Sequence, residues 1–255
     1  MIALKPLIKG LRILFAVGAM LVLWQLLIVA FKIPSYMLPS PAEVGRAFID
    51  SRASLTEHTA FTVVSALVGL GVSCGLAIVL AIAFVTYKPI ARISMPLVIA
   101  FRSAPVTAVA PLIMLFVGRG LATSVVVIVI VSFFPILVNM MRGLLSADQC
   151  ALELLHVYGA SRWQQIRYVR APYSLPFLFT GLRIAAASAV LGAMLSEWIT
   201  GAPGLGVLIL DSGVMREIEV LWAAVLTSVV FAFILFFFTS MAERMVLHWK
   251  SPQPV

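Results

Sequence analysis

The residues able to do chemistry are few and scattered. The three histidines, His58, His156 and His248, stand far apart, each near the end of an apolar run. None has a neighbour at metal-ligand spacing. Cys74 lies inside an apolar run and Cys150 between two of them, so they are expected at different membrane depths and unpaired. No G-x-x-x-x-G-K-[ST] phosphate loop occurs, so the chain itself is not expected to bind ATP. No G-x-S-x-G elbow or Cys/His pairing supports hydrolysis. Glu197 is the one carboxylate close to the interior of an apolar run, which argues against a proton-driven carrier built from this chain alone. With Trp198 beside it, Glu197 is expected at headgroup depth on the outer side.

What remains is the chemistry of protein contact, and it concentrates at 146–172. Ser146 and Gln149 have the spacing of a capping box, which predicts a helix start. Ala151, Leu154, Leu155 and Tyr158 then share one helical face. Gly159 stops that helix by tolerating a left-handed conformation. Ser161 and Gln164 form a second box and start a second short helix, made cationic by Arg162, Arg167 and Arg170. Pro172 and Pro176 are expected to end it and open the next apolar run. Helices this short are marginal alone in water. Their cover is the rest of the chain, the membrane interface or a cytosolic partner.

The elements that must position this hairpin are membrane spans. Of the 255 residues 62% are hydrophobic and 11% charged, with a mean hydropathy of +1.11. A soluble domain carries roughly 25% charged residues. Apolar stretches of about 20 residues recur without strand-like alternation, which predicts an all-α polytopic membrane protein rather than a barrel. The net charge of +8 comes from basic residues between spans, so nucleic acid is not the expected partner.

Six spans are predicted, at 11–31, 58–86, 96–117, 121–141, 175–198 and 220–241, within a single domain of residues 1–255. The first is long for a signal sequence and is expected to stay uncleaved and face lipid. A short interfacial helix is predicted from Pro41 to about Ser51. Ser65, Gly69, Ser73, Ala77 and Ala81 recur every four residues and predict a close-packing face, with Gly71 and Gly75 as a second stripe. The third span holds Pro96, Pro105 and Pro111 and should be bent or broken. Broken helices often line transport paths, which makes Arg102, Ser103, Pro105 and Pro111 path candidates. Arg102 is equally placed by a cytoplasmic interface. In the fifth span Gly181, Ala185, Ala189 and Ala193 form one stripe and Ser188, Gly192 and Ser196 another. That helix is expected to touch its own subunit and a twin, with the second stripe as further path candidates. Residues 201–206 read as a flexible loop or small external gate. The phenylalanines at 231, 233, 236, 237 and 238 suit lipid.

Counting Lys and Arg on the two sides of these spans gives eleven with the termini and hairpin against five opposite, leaving Arg102 and Arg183 uncounted. The excess places both termini and the hairpin in the cytoplasm.

Glu153, Gly159 six positions later, then Val169 and Pro172 resemble the EAA loop of bacterial ABC-importer permeases. Here Glu153-Leu154-Leu155 stands for Glu-Ala-Ala, Val169 for Ile and Ala171 for Leu. The run Gly159-Ala160-Ser161-Arg162-Trp163 resembles that family. So do 175–198 with Gly204-Leu205-Gly206 behind it, and Leu38-Pro39-Ser40-Pro41. The likeness spans most of the chain and leans toward the permeases for sulfonates, taurine, nitrate and thiamine precursors. It implies the methionine-permease-like (MetI-like) type I fold in a bacterial inner membrane. It implies a homodimer of this chain, two cytosolic ATPase subunits carrying ATP and Mg, and an external solute-binding protein. The chain itself would be no enzyme, would hold no cofactor and would pass a small anion, sulfonate or vitamin precursor inward. Glu153, Leu154, Leu155, Gly159, Ala160, Ser161 and Arg162 would couple to the ATPase. The competing expectation is an ion-coupled carrier that needs no ATPase.

Overall fold

The computed structural model describes residues 4–103 and 105–247, with side chains other than those of 4–14 and 101–103. Among the described residues every regular element is a helix. Their order is α1 (Leu4–Phe31), α2 (Pro41–Asp50), α3 (Arg52–Thr86), α4 (Lys88–Ser103), α5 (Val106–Val117), α6 (Leu121–Leu145), α7 (Gln149–Val157), α8 (Arg162–Gln165), α9 (Ala171–Thr200), α10 (Leu205–Met215) and α11 (Ile218–Val246). Among the described residues four helical stretches are long and apolar enough to cross a membrane: α3, α6, Arg162–Thr200 and α11. Val106–Val117 and Leu205–Met215 are shorter apolar helices, and Phe15–Phe31 is the apolar part of α1 whose side chains are described.

The chain divides into two compact units, Met1–Thr56 with Leu208–Leu226, and Glu57–Val207 with Thr227–Val255. In the first unit, α2 starts on a complete capping box. Ser40 Oγ accepts from Glu43 N at 3.3 Å, and Glu43 Oε2 accepts from Ser40 N at 2.7 Å. Pro41 fits the first turn because its missing N–H would have had no helical partner. Val44 and Ala47 are buried one turn apart. Leu23, Leu26 and Val29 of α1 are exposed, as lipid-facing side chains would be, and Trp24 stacks at a tilt on Trp222 with centroids 5.9 Å apart.

The second unit is organised by α6 and α9, which run antiparallel. Gly143 meets Ser174, Gly181 meets Pro135 and Ile136, Gly192 meets Ile128 and Val131, and Ser196 donates to Ser124 Oγ at 3.1 Å. A Cβ at Gly143 would lie 2.7 Å from Ser174 Cα, and one at Gly192 would lie 2.7 Å from Val131 Cγ2. The seam therefore closes only where one helix offers no side chain. From Ser124 to Gly143 it extends about 28 Å at 1.5 Å per residue, nearly the thickness of a bilayer core. Ala185, Ala189 and Ala193 are wholly buried in this unit's core.

The α3 stripe packs as its spacing predicts. Ser65, Ser73, Ala77 and Ala81 are fully buried, Ser73 Oγ lies 2.7 Å from Ser132 Oγ on α6, and a Cβ on Gly69 would stand 2.5 Å from Ile128 Cγ2. Gly71 and Gly75, the second stripe, meet no atom of this chain within 4 Å. The third predicted span is broken, with Pro105 as the N-cap of α5 and Pro96 and Pro111 inside α4 and α5. Phe231 departs from the lipid-facing expectation. It is buried in the core, while Phe233, Phe236, Phe237 and Phe238 are exposed.

Candidate coupling elbow and the polar cluster at the other end of α9

The elbow between α6 and α9 is capped by its own neighbours. Asp148, not Ser146, is the N-cap of α7, and its carboxylate accepts from Cys150 N at 3.2 Å. Ser146 caps the end of α6 instead, donating its hydroxyl to Gly143 O at 3.0 Å. Two polar side chains compete for one helix start, and the residue that directly precedes the helix wins. At the other end Gly159 has φ +69° and completes a Schellman closure. Its N–H donates to His156 O at 2.9 Å, and Ala160 N–H donates to Leu155 O at 2.9 Å. Ser161 and Gln164 form the expected box, with Gln164 N donating to Ser161 Oγ at 3.3 Å and Ser161 N to Gln164 Oε1 at 2.7 Å.

Pro172 and Pro176 do not end the second helix. Arg162–Thr200 is one continuous helical stretch, passing through a π turn at Ile166–Arg170. In that turn Ala171 N–H donates to Ile166 O, five residues back. Proline lacks an N–H and crowds the carbonyl four residues before it. A widened turn placed just ahead of Pro172 relieves both faults, so the helix continues. Arg170 Nη1 donates to Leu144 O at 2.8 Å, tying this turn to the C-terminal carbonyls of α6.

Within the elbow Leu152 is buried and Leu155 half-buried, while Glu153, Leu154, Val157, Tyr158, Ser161 and Arg162 are exposed. Leu154 is 58% exposed, Val157 82% and Tyr158 80%. All seven predicted coupling residues, Glu153, Leu154, Leu155, Gly159, Ala160, Ser161 and Arg162, lie on this one elbow. The path candidates do not form one cluster. Pro105 and Pro111 are exposed on α5, Ser188 is half-buried, and Gly192 and Ser196 are buried in the seam with α6. The side chains of Arg102 and Ser103 lie outside the described residues, as does His248.

A second polar cluster stands at the far end of α9. Glu197, expected at an interface, is fully buried although Trp198 is 52% exposed. Its Oε2 accepts from Thr62 Oγ1 at 3.0 Å and from Gly206 N at 2.9 Å. Thr62 Oγ1 accepts from Leu205 N at 2.9 Å. His58 Nδ1 lies 2.9 Å from Gly204 O, and since a carbonyl only accepts, this nitrogen carries the proton. Leu205 and Gly206 open α10, so a carboxylate and a hydroxyl from two other helices cap its N-terminus, where negative charge is favoured. These bonds hold residues 204–206, the end of the segment expected as a flexible loop or small external gate. A Cβ on Gly204 would run into the Glu197 carboxylate, and one on Gly206 into Met194 O. The sequence reading missed His58 and Thr62. The only signal for them was the Gly204-x-Gly206 pair itself, which marks close backbone approach without naming the neighbour.

Comparison with known proteins gives this arrangement a context. Residues 73–248 match the family described as binding-protein-dependent transport system inner membrane component. The riboflavin transport system permease protein of Chloroflexus aurantiacus is 33% identical over 91% of this chain and 87% of its own length. The formylaminopyrimidine transport permease protein of Halalkalibacterium halodurans is 35% identical over 73% and 75%. Among solved structures, a chain of the MetNI methionine ABC transporter in an inward-facing conformation superposes with a TM-score of 0.62 at 23% identity, covering 76% of this chain and 94% of that one, which shows the fold. With a helical membrane fold, an exposed elbow between two close-packed helices and a family match over most of its length, the chain belongs to the binding-protein-dependent inner membrane transport components and is a permease subunit of an ABC importer of small solutes.

Proposed function

We propose that α7 and the Gly159 turn are the handle by which a cytosolic ATPase drives this permease. The observation that supports this is the exposure of Leu154, Val157 and Tyr158 on a helix whose ends are already satisfied within the elbow. Apolar side chains left open on an ordered helix suit a hydrophobic groove on a visitor. Glu153 supplies a polar contact beside them, and Gly159 sets the turn angle. Force on α7 passes into α6 directly and into α9 through Arg170, whose bond to Leu144 O joins the two legs. Because the seam is close-packed, α6 and α9 move as one body. Nucleotide with Mg on the ATPase chains then biases the equilibrium between inward- and outward-open packings.

By this reading two copies of the chain pair in the membrane, two ATPases attach from the cytoplasm and a solute-binding protein delivers from outside. Both termini and the elbow lie in the cytoplasm, as the charge bias requires. The path runs beside α5 and α9, past Pro105, Pro111 and Ser188, with Gly192 and Ser196 shaping the seam behind it; Arg102 and Ser103 belong to its approach. Arg183 on α9 is already paired with Glu243 on α11 at 3.3 Å, so its charge is partly spent. Two relatives above 30% identity that cover more than two thirds of this chain are named for transport of riboflavin and of formylaminopyrimidine, which favours a heterocyclic vitamin or vitamin precursor over a sulfonate.

The test is co-purification followed by transport. Glu153→Lys and Leu154→Asp are expected to cut recovery of the ATPase subunits with the permease about tenfold or more, as loss of roughly 1.4 kcal/mol or more of binding requires. Membrane insertion is expected to stay normal. Full ATPase recovery and full transport in both variants would sink the docking role. ATP-dependent uptake of a flavin or pyrimidine by the reconstituted complex, with taurine as the control, tests the solute class. Uptake driven by an ion gradient without ATPase would favour the carrier reading instead.

A further inference from the structure

Beside the elbow lies a cavity of about 630 Å³, within the size range of small-ligand sites. Thr86 and Lys88 line it from the α3–α4 turn, and Arg162, Gln165, Ile166 and Arg170 from α8 and the π turn. It has three cations and no carboxylate in its wall. Among the described residues none of the three is ion-paired; Arg170 spends one N–H on Leu144 O and keeps the rest of its guanidinium. Three unneutralised cations repel one another across a shared cavity, and an anion that bridges them removes that cost.

The position of the cavity selects the anion. Its walls are the ends of two helical stretches long enough to cross a membrane, Arg52–Thr86 and Arg162–Thr200; at 35 and 39 residues both exceed the roughly 20 that the hydrocarbon core needs, so the cavity lies outside that core, on the headgroup side. Tyr87 and Trp163 at the same ends are 55% and 60% exposed, the placement of interfacial aromatics. Just past Lys88 and Pro89, the side chains of Ile90, Ile93 and Leu97 share an exposed apolar face of α4. A free phosphate would use the cations and leave that face idle. A phospholipid uses both, its phosphate among the cations and its acyl chains along α4. We propose that this cavity binds the phosphate headgroup of an anionic phospholipid, held by Lys88, Arg162 and Arg170, independently of whether α7 docks an ATPase.

The experiment is native mass spectrometry of the intact permease–ATPase complex titrated with phosphatidylglycerol or with phosphatidylcholine of the same acyl chains. The wild type is expected to retain phosphatidylglycerol preferentially. Lys88→Ala is expected to weaken that retention about fivefold, the effect of one cation at a membrane surface. Lys88→Arg is expected to restore it. Lys88 is exposed and outside the helix packing, so these variants should fold. Unchanged phosphatidylglycerol retention in Lys88→Ala overturns the proposal. So does full displacement of the lipid by millimolar inorganic phosphate, which would make the source a free ion. Loss of ATPase subunits from Lys88→Ala with lipid retention intact overturns it as well, assigning the cations to acidic side chains of the ATPase.

Discussion

At one end of α9 stands the elbow, whose helix caps are hydrogen bonds between residues two to five apart in sequence, with Arg170 to Leu144 O as a longer tie across 26 positions. At the other, residues 204–206 are held by Thr62 and His58, 143 and 146 positions away, and by Glu197, which itself bonds Thr62 across 135 positions. The elbow is exposed; the far cluster is buried. An element that carries its own caps keeps its shape when its surroundings move, which is what a handle requires. An element whose N-terminus is satisfied by two other helices is ordered only while those helices stay in register. Under the proposed function the first would transmit a displacement, and the second would be disturbed by one. In a protein that alternates between packings, the far cluster is the place where α3, α9 and α10 are locked into this packing.

The sharpest way to break the comparison is at the far cluster. Gly206→Val puts a side chain into the backbone carbonyl of Met194, a clash that no rotamer relieves. The expected loss is about 3 kcal/mol, the upper end for overpacking. Glu197→Leu orphans the buried Gly206 N–H, for roughly 1–3 kcal/mol. Glu197→Gln keeps an oxygen acceptor there and should lose less. Thermal unfolding of the purified permease, read by size-exclusion fluorescence, ranks the three. If Glu197→Leu unfolds no earlier than wild type, the cluster is not a lock.

The same contrast explains what the sequence disclosed. The elbow was legible because its signals are local: Ser161 and Gln164 at box spacing, and Gly159 after an apolar face. The error there was also local, Ser146 chosen over Asp148, because both are good caps two residues apart. The longer small-residue stripes, from Ser65 to Ala81 on α3 and from Gly181 to Ala193 on α9, were legible as packing faces, whereas the Gly71–Gly75 pair at the same period meets nothing in this chain. Glu197 was not legible. Its neighbours in sequence, Trp198 above all, point to an interface, and only the fold brings Thr62 to it. Pro172 misled for a different reason: the π turn at Ile166–Arg170 stands just ahead of it and lets the helix continue.

A smaller effect tests the self-sufficiency of the elbow. Ser161→Ala removes the hydroxyl that accepts from Gln164 N and frees the Ser161 N–H–Gln164 pair to fray. The expected cost is about 1 kcal/mol, the usual worth of an N-cap. Because nothing beyond the elbow depends on that cap, the loss should appear as faster amide exchange at 161–165 with the global unfolding temperature nearly unchanged. A global shift as large as that of Glu197→Leu would show that the elbow leans on the spans after all.

The capping box of α2 offers the smallest and cleanest comparison, since it repeats the elbow's motif with a charge. The backbone N–H of Ser40, and then its hydroxyl, hold the Glu43 carboxyl below its ordinary range. A carboxyl depressed in the folded state contributes stability that is whole above the ordinary value of about 4.3 and fades as pH falls through the depressed one. Gln164 occupies the same position in the elbow and does not titrate. Amide exchange at 41–44 should therefore quicken on acidification below about pH 4.3, while the pH-corrected exchange at 162–165 stays level. Glu43→Gln should abolish the difference. Equal acid responses in the two boxes would mean that the Glu43 carboxylate contributes nothing beyond what an amide supplies.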